Sequence, residues 1–580
     1  MTSLSGKKWR VADRAPRSFV SKFPEFDVRT SQLLYNRGLD TQEKVDEFFN
    51  PDYSQDLFDP FLLKDMDRAV ERIEQAVKKK ERVGIFGDYD ADGVTSSVLL
   101  MELFRDALGL TGQVYIPDRV SEGYGLNNKA IDWLADKKVD LIVTCDCGVS
   151  NKKEIDYARK KGIDVIVTDH HHVAHKFSRQ YIVVDSKREG DKYPFKELAG
   201  VGIVFKLVQA IIKSKPDILR PGVDERFVKR ALDLVTIGTI ADCSPIISEN
   251  RTLVKYGLDI LRDSERVGLR ALFEVAGVER DKVDTEAVGF FLAPRINAAG
   301  RLDHANVAFK LFTTQTMAEA QNYAQQLQQT NYQRQRVTDK IFRAARTQIK
   351  DDVAKNKILL AKGQDWPLGV VGIVAGKLTE EFFRPTLVLE EGEKQCTGSG
   401  RSIEQFNLIE AIFSCKDILL EFGGHKMAAG FGLKKENVDE FYQRLQRLAE
   451  EQIKDEDLVP TLALDAELDI KKVDWDLYNS LLRFQPFGAD NRQPLFVVPS
   501  VYIRDVRAIG KQGSHLKMKV GDEKDTISRD VIGFRLGKYA ADLNIGDKID
   551  LAGQIDCNVW NGTKTLQLKV EDIRVGDKQN

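Results

Sequence analysis

Val83-Gly84-Ile85-Phe86-Gly87-Asp88-Tyr89-Asp90-Ala91-Asp92-Gly93 decides the fold. A short apolar run breaks off into three carboxylates within five residues and is closed by glycine. The figure recurs twice. Leu141-Ile142-Val143-Thr144 leads into Cys145-Asp146-Cys147, and Val165-Ile166-Val167-Thr168 leads into Asp169-His170-His171. Short apolar runs alternating with helical stretches are the pattern of parallel βαβ units. In an open parallel sheet, ligands gather at the carboxyl ends of the strands. Three strands that deliver acids and histidines to one edge build one cluster.

A chain of 580 residues is too long for one ordinary core, so several domains are expected. Hydrophobic content of 42% and charged content of 30% are those of a soluble globular protein. The formal net charge is -2, so nucleic-acid contacts must come from local patches rather than from a basic chain. Six scattered cysteines suggest no disulfide framework, and Cys145 and Cys147 flank an acid instead of forming half a zinc knuckle. The first residues lack a signal-peptide core and no apolar run is long enough to span a membrane. A cytoplasmic protein with no membrane partner is expected.

Residues 1–70 carry no obvious chemistry, and residues 71–250 read as the catalytic α/β domain. Residues 251–355 read as a connecting helical region. Its stretch 315–355 is Gln-rich, without Gly or Pro, and sparsely apolar at Tyr323, Leu327, Ile341 and Phe342. That is a long bridging helix with a solvated face. A second α/β segment covers 356–455. Residues 456–580 turn to short alternating strands, among them His515–Val520 and Lys564–Val570, with turn signals at Gly546-Asp547 and Asn561-Gly562. This suits a small barrel such as an OB-fold. Lys517, Lys519, Tyr502, Phe534 and Trp560 offer charge and stacking there, although strand alternation places at least half of those aromatics in the core.

Alternating acids in a loop coordinate hard divalent cations through oxygen. A calcium loop would need flanking helices and Glu at its twelfth position, where Leu99 stands, and is rejected. Of seven histidines, four fall within His170 to His175. His170-His171 behind a strand and Asp169 is a ligand arrangement, and Asp242 in Thr239-Ile240-Ala241-Asp242-Cys243 adds an acid. Mixed carboxylate and imidazole ligands suit Mn²⁺ or Mg²⁺ better than a thiolate zinc site. Gly372-Ile373-Val374-Ala375-Gly376-Lys377-Leu378 has a superficial likeness to a nucleotide P-loop. It lacks the first glycine at the needed spacing and the hydroxyl after lysine, so no ATP dependence is expected.

Asp169-His170-His171 resembles the signature for which the DHH phosphoesterase family is named, and Asp88–Gly93 resembles that family's first motif. Further segments resemble, in order, motifs of its RecJ-type exonucleases. They are Arg119 with Glu122–Leu126, Gly238–Asp242, Pro294–Arg301, Gly398–Ser402 and Phe422–His425. The resemblance covers roughly residues 70 to 580. It implies an α/β protein with a parallel-sheet DHH catalytic domain, a long connecting helix, a DHH-associated α/β domain that closes over the substrate, and a C-terminal OB-fold barrel. It also implies two divalent metal ions. Asp88, Asp90 and Asp146 would hold one, and Asp92, Asp146, His170 and Asp242 the other, with Asp146 bridging. Asp169 and His171 would be catalytic, His171 beside the scissile phosphate as an electrophilic or proton-transfer group. The implied activity is 5′-to-3′ exonuclease action on single-stranded DNA in repair and recombination, with a single-strand-binding protein and a helicase as partners.

By the same resemblance Arg119, Ser399 and Arg401 grasp the 5′ phosphate, while Gly424 and His425 line the cleft. Gly398–Arg401 reads as a loop that offers backbone N–H groups, a hydroxyl and a guanidinium to a phosphate. Gly423-Gly424 alone reads as a tight turn. Arg295 and Arg301, bracketing Asn297, are either backbone-phosphate contacts or surface arginines near a helix start. Tyr124 is either a ring that stacks on a terminal base or a turn tyrosine capping the sheet. Two departures from the family pattern stand out. Val184-Asp185-Ser186 occupies the place of an Asn-Pro, and Trp366-Pro367-Leu368-Gly369 lacks a histidine before its glycine. Two rival readings are a phosphodiesterase for dinucleotides and a non-catalytic DNA-binding scaffold. The long helix and barrel argue against the first, and the filled ligand positions against the second.

Overall fold

The computed structural model describes residues 2–119, 121–173, 176–302 and 304–576. His175, one of the clustered histidines, lies outside the described residues. The three apolar runs are strands. β1 (Val83–Gly87), β2 (Gly112–Tyr115), β3 (Leu141–Cys145), β4 (Asp164–Thr168) and β5 (Ile182–Val184) form an all-parallel sheet in the order β2-β1-β3-β4-β5. Their apolar runs are unbroken because both faces are covered. Ile85, Val143 and Ile166 enter one buried cluster, while Phe86, Ile142 and Val165 enter another. The first cluster includes the inward faces of α1 (Ala91–Glu102), α2 (Gly200–Ser214) and α3 (Leu232–Ala241). The chain runs from β1 to β2 on one side and then to β3 on the other. A switch point therefore opens between the carboxyl ends of β1 and β3, where open sheets bind ligands.

Within the helical region, α4 (Ala293–Leu302) and α5 (Met317–Ile349) bear on the site. α5 bridges as expected: Ala320, Ala324 and Leu327 join the catalytic core, and Ile341, Ala345 and Ile349 join the core of the second α/β domain. Gln321, Gln325 and Gln329 keep its opposite face in solvent. The second domain carries β6 (Leu359–Gly363), β7 (Thr386–Glu391), β8 (Gln395–Arg401), β9 (Leu419–His425) and β10 (Ala428–Lys434), ordered β9-β10-β8-β7-β6. This corrects the loop reading of Gly398–Arg401. β8 is a central strand paired with β7 and β10, so its backbone N–H groups belong to the ladder and only side chains are left for a phosphate. The glycines serve packing: a Cβ on Gly400 would lie 2.6 Å from Leu387 and 2.8 Å from Leu408. Gly423-Gly424 likewise belongs to an edge strand, β9, rather than to a tight turn.

Residues 1–50, 453–487 and 491–580 make one compact unit, and Pro51–Gln452 with Gly488–Asp490 makes the other. In the first, Phe496–Ile509, His515–Gly521, Ser528–Gly533, Lys548–Trp560 and Thr563–Val575 close into a five-stranded barrel. The N-terminal segment folds onto this barrel: Lys8–Val11 pairs in parallel with Thr461–Leu464, and Phe19, Phe23, Leu33, Phe48 and Phe49 join the barrel core. The alternation argument fails for the barrel aromatics, since Phe534 and Trp560 are 53% and 73% exposed and Tyr502 is half-buried. Phe534 follows the end of its strand and Trp560 sits at a hairpin tip, where alternation no longer decides burial. Among the described residues, no helix is long and apolar enough to cross a membrane.

Candidate active site

Each strand end holds its acid by a different local device. Asp90 caps α1, its Oδ1 accepting from the backbone N–H groups of Asp92 (2.9 Å) and Gly93 (3.1 Å). Asp92 lies in the first turn of α1. Its two oxygens accept from Gly200 N–H (2.7 Å) and Val201 N–H (2.8 Å) at the amino end of α2, where a carboxylate is favoured. Asp146 follows β3 in the left-handed region, φ 60°, and donates its N–H to Thr168 O. Two helices approach these acids through glycines. A Cβ on Gly200 would lie 2.7 Å from Asp146 Cβ, and one on Gly238 would lie 2.8 Å from Asp92 Oδ1. Asp242 ends α3 and accepts from Ser244 Oγ at 2.6 Å.

Three overlapping sets bring ligand atoms within 4.8 Å of one another: Asp88, Asp90 and Asp146; Asp92, His170 and Asp242; Asp146, His170 and His171. His170 Nε2 lies 3.1 Å from Asp146 Oδ1 and 3.8 Å from Asp92 Oδ2. His170 Nε2 and Asp88 Oδ1 are buried, and neither has a hydrogen-bond partner among the described residues. Buried polar atoms in this condition are costly, and a divalent ion among the acids satisfies both. His171 is held differently. Its Nδ1 lies 2.8 Å from Asp169 Oδ1 and 3.0 Å from Tyr124 Oη. Asp169 also accepts the N–H groups of His170, His171 and Val149. Asp169 thus holds the His171 ring through Nδ1, whereas His170 turns its Nε2 toward Asp146 and Asp92.

Burial and mutual repulsion push the carboxyls of Asp88, Asp92 and Asp146 well above their ordinary range. Burial and the charge of Asp90 lift Asp242 to about 6. Burial pulls His170 down to about 3, leaving the neutral imidazole that a metal requires. At His171 burial is outweighed by the bond to Asp169, and its pKa rises to about 9. Asp169 is held low by the same bond against the effect of burial. Acids that resist ionising together suit a site completed by cations.

Beside the acids lie four guanidiniums. Arg119 covers the Tyr89 ring at 4.8 Å. Arg401 donates to Ser399 Oγ (3.0 Å) and Gly400 O (2.8 Å), Arg301 to Gly369 O (2.9 Å), and Arg334 to Asn331 Oδ1 (2.9 Å). Burial first, then repulsion from Arg119, Arg334 and Arg401, lowers Arg301 to about 10. Burial and Arg119 lower Arg401 as well. Crowded cations that donate to neutral acceptors favour an added anion. Arg334 escaped the sequence reading, and its one signal is the buried polar pair Asn331 and Thr338 on the inward side of α5.

The remaining expected residues fall into two groups. Tyr124 donates to Asp146 O at 3.1 Å and meets His171 edge-on, inside the site. Gly424 and His425 end β9, and His425 lines a cavity of about 660 Å³ with His170, His171, His172 and Lys187. Asn297 and Arg295 make bonds within the protein, and Arg295 is not the surface arginine of the alternative reading. Asn297 Oδ1 accepts from Ala91 N–H at 2.7 Å and so fixes the acid loop. Arg295 is buried and donates to Gln328 Oε1 (2.6 Å) and Phe291 O (2.5 Å), tying α4 to α5.

A parallel sheet with acids and paired histidines on its carboxyl edge, joined to a second α/β domain that brings arginine, defines a DHH-type phosphoesterase. Family models agree: the N-terminal domain of the DHH family matches residues 82–239, the DHHA1 domain 355–451 and the RecJ OB domain 464–572. The single-stranded-DNA-specific exonuclease RecJ of Bacillus subtilis is 37% identical over 95% of this chain and 68% of its own length. The Escherichia coli protein of the same name is 31% identical over 88% of this chain and 90% of its own. The crystal structure of RecJ in complex with Mn²⁺ from Thermus thermophilus matches with a TM-score of 0.82 and 28% identity, covering 98% of this chain and 80% of that one. The chain belongs to the RecJ family.

Proposed function

We propose that this protein is a metal-dependent exodeoxyribonuclease that removes nucleotides from the 5′ end of single-stranded DNA. The observation that carries the reading is the guanidinium cluster of Arg119, Arg301, Arg334 and Arg401 directly beside two adjoining sets of ion ligands. A terminal 5′ phosphate seated on the arginines puts the next phosphodiester over the acids. Asp88, Asp90 and Asp146 would hold one Mn²⁺ or Mg²⁺, and Asp92, Asp146, His170 and Asp242 the second. When bound, such a pair activates water and neutralises charge on the scissile phosphate. His171, held protonated by Asp169, donates from Nε2 to a phosphate oxygen or to the departing 3′ oxygen. Water adds to phosphorus, the bond to the 3′ oxygen breaks, and the shortened strand carries a fresh 5′ phosphate for the next cycle.

The cradle draws Arg119 and Arg301 from one domain and Ser399 and Arg401 from the other, so the end must pass between them. A single strand threads such a gap and a duplex is too wide. Family kinship extends the proposal to repair and recombination in the cytoplasm, with a single-strand-binding protein and a helicase as partners. Digestion of 5′- and 3′-labelled strands with Mn²⁺, Mg²⁺ or chelator tests the reading. The 5′ label should leave first as a mononucleotide, only with metal and only from single strands. Initial release of the 3′ label, or efficient digestion of blunt duplex, would contradict it.

A further inference from the structure

The strand order of the catalytic sheet lays its residues out in a row. Reading across β2-β1-β3-β4-β5, the carboxyl ends deliver Arg119, then Asp88 to Asp92, then Asp146, then Asp169 to His171, then Asp185-Ser186-Lys187. The row opens on a cation and closes on a cation, with the acids between. The first cation belongs to the terminal-phosphate cradle, and the last has so far no task. Neighbouring strands lie about 4.8 Å apart, so β5 ends roughly 10 Å beyond β3. A lysine there, on a flexible four-carbon stem, can bring its ammonium back toward the phosphate that follows the scissile one.

The wall around Lys187 narrows the choice of side chain. It contributes to the cavity shared by His170, His171, His172 and His425, together with Arg188 and Lys196. Arg188 is buried, pairs with Asp65 and donates to Val183 O at 2.9 Å. Lys196 is fixed to Asp191 at 2.8 Å. Lys187 pairs across 3.6 Å with Glu197, whose side chain is half-exposed, a contact worth little in water. Its backbone N–H donates to Asp185 Oδ1 at 2.7 Å, so the turn that replaces the family's Asn-Pro anchors it at this edge. The charge of Lys187 is felt at His170, Asp242 and His425, which places it at the metal side of the cavity.

We propose that Lys187, at the end of β5, forms a subsite for the backbone phosphate one nucleotide to the 3′ side of the scissile bond. The inference rests on the exonuclease reading and adds where the body of the strand leaves the site. Recognition is of a phosphodiester anion, without a base contact, so it carries no sequence preference. It gives the strand a second fixed point and aligns the scissile phosphate between two anchors.

The test uses the full chain and short 5′-phosphorylated strands carrying one uncharged methylphosphonate, either at the second linkage or near the 3′ end. Release of the first nucleotide is followed in single turnover. In the wild type, the methylphosphonate at the second linkage should slow release about ten-fold and the distal one should not, as expected for loss of one charge-assisted contact. Lys187→Ala should slow release from the unmodified strand by a similar factor and show no further loss with the modified second linkage. Lys187→Arg should retain most of the rate. Equal additional loss in Lys187→Ala on the modified strand, or an unaffected Lys187→Ala, would overturn the subsite. A wild type that releases no 5′ nucleotide from any strand would instead overturn the exonuclease reading beneath it.

Discussion

At the scale of single residues, the two neighbouring histidines do different jobs because their nitrogens have different partners. His170 is neutral and turns a bare Nε2 to the acids, whereas His171 is charged and clamped by Asp169. His171→Gln should therefore lower kcat by roughly 10²–10⁴-fold while Mn²⁺ affinity stays within a few-fold, as measured by turnover and calorimetry. A large loss of Mn²⁺ binding would make His171 a ligand instead. The carboxyls give a pH test. Folding raises the pKa of Asp88, Asp92, Asp146 and Asp242, so their contribution to metal-free stability is full at acid pH. It is lost as pH rises through the folded values, about 6 for Asp242. Divalent ions reverse that penalty by binding the ionised form. The rise in melting temperature on adding Mn²⁺ should be larger at about pH 7.5 than at about pH 5; an equal or opposite difference would contradict the assignment. Most of these residues are visible in sequence because each acid or histidine follows its strand at once. Asn297 is named by its motif alone, and its bond to Ala91 N–H is not legible, because it spans more than two hundred residues.

At the scale of elements, the site is shaped by helices that press onto the strand ends without side chains in between. α2 gives Asp92 two N–H groups, and α3 meets it at Gly238. Gly238→Ala would set a methyl 2.6 Å from Thr95 Oγ1 and 2.8 Å from Asp92 Oδ1. We expect about 1–3 kcal/mol of destabilisation from overpacking. Mn²⁺ affinity should fall roughly 10–100-fold, the usual effect of disturbing a ligand's support. Wild-type metal affinity in a folded Gly238→Ala protein would show that Asp92 is not so held. The parallel strands are legible because burial on both faces makes each an unbroken apolar run. β8 is not, because Gly398 and Gly400 look like turn residues. Only the neighbours Leu387, Leu389 and Leu408 reveal that there is no room for a side chain. Arg334 is hidden for a related reason: a cation on a polar, Gln-rich helix reads as solvated until α4 is seen beside it.

At the scale of the molecule, sequence order and spatial grouping part company. The domain succession along the chain was readable from texture, since βαβ segments, a Gln-rich helix and alternating strands differ in period. The partner of residues 1–50 was not, because Trp9 donates to Asp572 Oδ2 at 2.7 Å and Lys8–Val11 pairs with Thr461–Leu464, far beyond any local pattern. The barrel unit and the catalytic unit each have a core of their own. All the chemistry proposed above lies in the second, where everything turns on Asp146 serving two ions at once. Electron paramagnetic resonance of Mn²⁺ titrated into the full chain tests this most directly. Two ions sharing a carboxylate at about 3.5–4 Å should give a spin-coupled spectrum at two equivalents, lost together with one equivalent in Asp146→Asn. A single ion, two uncoupled ions, or a wild-type spectrum from Asp146→Asn would contradict the shared site.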